Sequence, residues 1–167
     1  MKMKNIKNNF IKVLFGIVLF SSVTACDEGG DATAGQTNTG QFAGDWFISL
    51  TDTDGDLVVD HALHSTYNTS ANDNTMWIDD KENGYYIKAK FTINDDGTFS
   101  SPETDNLLDP GTTVTITDGK IEKDGAVSQG GHTVNKISFR VHFSYDPPGY
   151  DILYEGHKRT GFLEDEY

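Results

Sequence analysis

The chain has 167 residues, enough for one domain, and a formal net charge of −13. Nucleic acid and anionic headgroups repel so acidic a protein, and neither is expected as a partner. It holds one cysteine, Cys26, so no intramolecular disulfide braces the fold and burial must do that work.

Lys2, Lys4, Lys7 and Lys12 form a positive segment with no acid before Asp27. An apolar run from Phe10 to Phe20 follows, and Ser21, Ser22, Val23, Thr24 and Ala25 lead to Cys26. The run is shorter than the ~20 residues that span a bilayer. The order is that of a secretory signal over residues 1–25. Val23-Thr24-Ala25-Cys26 resembles the lipobox of bacterial lipoproteins. The resemblance implies that Cys26 carries the lipid attachment and that the chain is anchored at the outer membrane, on its periplasmic or cell-surface face. Several acyl chains, at about 0.8 kcal/mol per buried CH₂, make such an anchor stable. Loss of residues 1–25 removes four lysines and no acid, leaving a charge of −17.

Residues 27–43, DEGGDATAGQTNTGQFA, have the composition of a flexible linker, with a reach of roughly 20–25 Å. Residues 26–43 are therefore read as lipidated cysteine and tether, and residues 44–167 as the folded domain. From Gly44 onward, short β-branched and aromatic runs alternate with turn signals. Trp46, Ile48 and Leu50 share one face. Leu57, Val59, His61, Leu63 and Tyr67 share a parity in the next run. Thr75 to Ile78 is a short strand before an Asp79-Asp80 turn. Tyr85, Ile87, Ala89, Phe91 and Ile93 alternate against polar residues. Thr98 to Ser100 begins a strand ahead of a loop over residues 101–111. Thr113 to Thr117 is a strand that Asp118-Gly119 is expected to turn into Lys120 to Lys123. Ile137, Phe139, Val141 and Phe143 alternate, and Tyr150, Ile152 and Tyr154 open the last run. Eight or nine short strands with tight turns predict an all-β sandwich or antiparallel barrel.

Gly44-Asp45-Trp46 at the first strand and Arg159 at the end of the last resemble the lipocalin and calycin signature. That resemblance implies a single antiparallel barrel of about eight strands in which Arg159 packs over Trp46. Thr66-Tyr67-Asn68-Thr69, Met76-Trp77-Ile78-Asp79-Asp80 and Gly156-His157-Lys158-Arg159-Thr160-Gly161-Phe162 resemble a family of Bacteroidetes-type lipoproteins described as lipid-binding putative hydrolases. It implies a small lipophilic ligand, and its description names a hydrolase.

No Gly-x-Ser-x-Gly elbow is present, and Gly125 to Gly130 has the wrong spacing. His61 and His64 are expected on opposite strand faces. His142 and His157 are expected to approach each other on an outer face. Asp52-Thr53-Asp54-Gly55-Asp56 lacks the EF-hand spacing and reads as a polar turn. No catalytic residue, metal site or cofactor is assigned. Tyr67, Trp77, Tyr85, Phe91, Phe139 and Tyr154 are the candidate ligand contacts, Tyr67 at the rim, with Ala89 and Gly156 leaving room inside. Ligand binding is the expected function. A surface interaction module with an unknown protein partner and a hydrolase are the alternatives.

Overall fold

The computed structural model describes residues 37–167. The signal segment, Cys26 and the tether up to residue 36 lie outside the described residues. Eight strands follow in order: β1 (Gly44–Thr51), β2 (Leu57–Asn68), β3 (Thr75–Asp79), β4 (Lys88–Ile93), β5 (Thr98–Asp105), β6 (Thr113–Val127), β7 (Thr133–Phe143) and β8 (Ile152–Lys158). Each pairs antiparallel with the next, and β8 returns to β1 to close a barrel. Closure gives every strand two neighbours, although β2 is joined to β3 only over Ser65–Asn68.

Period-2 alternation puts one side of each strand inside. Trp46, Ile48 and Leu50 of β1, Ala89, Phe91 and Ile93 of β4, and Ile137, Phe139, Val141 and Phe143 of β7 are all buried there. Each fully buried side chain of this size is worth roughly 1.5–3 kcal/mol. The rings line up along the interior. Phe91 lies 4.6 Å from Phe99, Phe99 5.5 Å from Phe139, and Phe139 stacks on Tyr154 at 4.6 Å. This aromatic column fills the barrel's middle.

Three elements differ from the expectation. β5 continues to Asp105, so the following loop is shorter. β4 begins at Lys88 instead of Tyr85. Asp118-Gly119 is a bulge inside a continuous β6, and no hairpin forms there. Asp118 takes a left-handed φ of 53°, and a side chain at Gly119 would overlap Phe99. The dipeptide that suggested a turn serves close packing of β5 on β6. Gly156 plays a similar part. A Cβ there would collide with the backbone of Phe47 and Ile48, so this glycine brings β8 against β1.

The two poles of the barrel differ. At one, which we call the floor, the 3₁₀ turn Gly40–Phe42 inserts Phe42 into the core. The Thr66 hydroxyl donates to Phe42 O at 2.7 Å and accepts from Trp46 Nε1 at 2.9 Å. At the other, the mouth, the loops 52–56, 80–87, 106–112 and 144–151 gather.

Candidate functional site: the barrel mouth

The mouth is built around a bulge in β2. Two steps along β1, from Ile48 to Leu50, match three along β2, from Ala62 to Val59. The extra residue is absorbed at His61, whose φ is 47°. Ser49 Oγ fixes the bulge, accepting from His61 N at 3.2 Å and donating to Asp60 Oδ1 at 3.1 Å. Beyond the bulge the inward parity changes. Val59 packs on the core beyond the bulge, whereas His64 and Thr66 are buried on the near side of it. His61 stays outside and stacks on Tyr167 at 3.9 Å. The two histidines do lie on opposite faces.

His64 therefore points inward, fully buried, edge-on to Tyr154 at 5.7 Å. Its Nδ1 lies 2.9 Å from the Ala62 carbonyl oxygen, which requires the proton on Nδ1 and leaves Nε2 as an acceptor. Burial lowers the proton affinity of this ring, so it is neutral at pH 7. The pair Ser65↔Asp79 places Asp80 beside His64 on the inner face. Asp80 Oδ1 accepts from Glu82 N at 3.0 Å. His64 Nε2, Asp80 Oδ2 and Tyr154 OH are all buried and without a hydrogen-bond partner. Burial first, and then the Asp80 charge, push the Tyr154 hydroxyl far above its usual range. Such groups are costly, at about 1–3 kcal/mol each.

Loop 80–87 covers them. A Cβ at Gly84 would stand 3.0 Å from Asp80 Oδ2 and 3.4 Å from His64 Nε2, so a residue without a side chain fits best over these atoms. Lys81, Glu82 and Tyr86 all take left-handed φ values, a strained combination for residues with side chains. Tyr85 then packs 5.7 Å from Phe143. Burial and neighbouring carboxylates push the Tyr145 and Tyr150 hydroxyls up to about 12, with Asp146 and Asp109 acting on the first and Asp52 on the second. Leu57, Val58, Tyr86, Leu107 and Tyr145, all at this pole, are exposed.

The sequence candidates separate. Phe91, Phe139 and Tyr154 stand in the aromatic column, and Tyr85 stands at the mouth. Tyr67 and Trp77 are paired neighbours on the outer face, half-buried. Tyr67 OH donates to Asp79 Oδ2 at 2.8 Å, and Lys90 Nζ lies 5.0 Å over the Trp77 ring. Neither faces the interior, because Thr66 and Ile78 take the inward positions between them. Arg159 does not cover Trp46. It lies 6.0 Å over Phe47 and forms paired bonds to Glu166, while Lys158 is opposite Trp46 in register and donates to Ala43 O at 3.1 Å. Parity is the cause, since Arg159 follows Lys158 and so falls on the outer face. His142 and His157 are not brought together. His142 meets Asp151 near the mouth, and His157 meets Tyr167 near the floor.

Ser128, His132 and Asp165 do gather. His132 Nδ1 lies 2.8 Å from Asp165 Oδ2 and 3.5 Å from Ser128 Oγ. A charge relay needs the hydroxyl on one ring nitrogen and the carboxylate on the other. Here both share Nδ1, and Ser128 Oγ accepts from His132 N at 3.0 Å. The cluster ties down the C-terminal segment. Asp52 behaves similarly, its Oδ1 accepting from the amides of Asp54 and Asp56 within its own turn. Among the described residues no three His, Cys, Asp or Glu side chains gather as a metal site needs.

A family model described as lipid-binding putative hydrolase matches residues 31–163. The chain belongs to that family. No curated protein matches it. A member of a lipid-binding family that is also a closed eight-stranded barrel fits the ligand-binding reading of the sequence.

Proposed function

We propose that the chain is a lipid-anchored cell-envelope lipoprotein whose barrel takes a small amphipathic ligand at its mouth. The anchor is Cys26, and the attachment is to the outer membrane. The observation that carries the ligand reading is the buried, unpartnered trio His64 Nε2, Asp80 Oδ2 and Tyr154 OH beneath the loops where Leu57, Val58, Tyr86, Leu107 and Tyr145 are exposed. Sites for small molecules combine apolar walls with a few placed polar groups in this way. The lipid-binding family supports the same class of ligand.

Titration of the purified chain with 1-dodecanol below its solubility limit tests the reading. Saturable binding is expected, with at least a tenfold loss in the double variant Leu107→Asp, Tyr145→Asp. Absence of saturable binding by any alkyl probe overturns it. Labelling of cells with a radioactive fatty acid tests the anchor: the label is expected on the intact chain and absent from Cys26→Ala. The same exposed ring suits a protein partner, the reading favoured if no alkyl probe binds.

A further inference from the structure

The chemistry at the mouth discriminates among amphiphiles. His64 Nε2 and Asp80 Oδ2 are buried acceptors that both lie within 3.4 Å of where a Cβ on Gly84 would stand, and neither has a donor. A carboxylate or phosphate brings more acceptors to this point and satisfies nothing. A single hydroxyl donates once. An ammonium group has three donors and a charge opposite to that of Asp80. The surroundings have the same preference. The four mouth loops carry eight carboxylates against one lysine, Lys81, and Lys81 is engaged outside with Asp45 at 3.2 Å. Tyr85, Tyr145 and Tyr150 stand at this pole, and aromatic faces attract cations.

We propose that the mouth binds amphiphiles bearing a primary amine, whose ammonium group lifts Gly84 away and pairs with Asp80 and His64. The inference rests on the ligand-binding reading above and adds the headgroup class. In the closed state Asp80 Oδ2 and His64 Nε2 are buried beside Gly84 and have no donor. Three left-handed residues in loop 80–87 make that closed position costly, so part of the cost of opening is already met. The alkyl chain then lies across the exposed side chains of the mouth.

Three probes of equal chain length make the test: dodecylammonium, 1-dodecanol and dodecanoate, titrated calorimetrically into the purified chain at pH 7 below their aggregation limits. Dodecylammonium is expected to bind at least tenfold more tightly than the other two. Part of that preference is expected to remain at 0.5 M salt, where attraction from the outer carboxylates is screened. Asp80→Asn is expected to bring amine and alcohol within about twofold of each other. His64→Leu, which removes the second acceptor and leaves Asp80 in place, is expected to reduce the same preference at least threefold if Asp80→Asn fails to fold. Equal binding of all three probes, or tighter binding of dodecanoate, overturns the proposal and leaves the ligand-binding reading standing. An amine preference that survives both variants, or that vanishes entirely in 0.5 M salt, also overturns it, because surface charge alone then explains the attraction. Binding of none of the three overturns both.

Discussion

Burial holds the His64 ring neutral against the raising influence of its bond to Ala62 O and of the carboxylates of Asp80 and Asp79. The unfolded chain takes up that proton with the ordinary affinity, near pH 6.5. Below that pH the unfolded state binds a proton the folded state refuses, so stability falls as the solution is acidified. Above it the group contributes no slope. Denaturation of the protein between pH 5 and 8 should show stability dropping below about pH 6.5 by up to ~1.4 kcal/mol per unit. His64→Gln should lose that slope. A slope retained in the variant would assign it to another histidine. This residue is also where the sequence was least legible. Leu57, Val59, His61 and Leu63 suggest one uninterrupted parity, and nothing in them announces the extra residue at His61. His64 and Asp80 passed as a strand polar residue and half of a turn, because a bulge and a loop crossing depend on contacts distant in sequence.

The strands themselves were legible where alternation was unbroken. β4 and β7 carry their buried residues at every second position, so period and burial agree, while in β1 the outward Phe47 is buried as well, against Tyr167. Boundaries failed where glycine serves a neighbour in space. Asp118-Gly119 reads as a turn by local chemistry, yet the collision it avoids is with Phe99, on another strand. Gly156 gives the sharpest case. It was taken as a shortfall of bulk, whereas it permits the β1–β8 contact that closes the barrel. Gly156→Ala should destabilise by about 3 kcal/mol, at the upper end for overpacking, because backbone on both sides must shift. Urea unfolding measures this, and a loss under about 1 kcal/mol would show that the seam yields easily. The closing arginine was misassigned by one position for an equally local reason: Lys158 and Arg159 alternate faces, and Lys158 takes the place beside Trp46.

At the scale of the molecule, closure and the filled axis make one cooperative unit. Phe139 sits in the middle of the column, between Phe99 and Tyr154. Phe139→Ala removes contacts on both sides and should cost about 3–5 kcal/mol. Near-ultraviolet circular dichroism and tryptophan fluorescence should report coincident transitions in the variant and the parent. Separate transitions would mean that one part of the ring unfolds alone. The number and spacing of the strands made a sandwich or a barrel legible, and the resemblance to the lipocalin and calycin signature pointed to the barrel. Its filled interior was not legible, since volume depends on how eight strands converge. One further consequence comes from the 3₁₀ turn at Gly40–Phe42. The chain enters the barrel through that plug, at the pole opposite the mouth. A load applied to the chain at residue 37 therefore reaches the barrel at Phe42, held by Thr66, and leaves the four loops of the opposite pole unstressed.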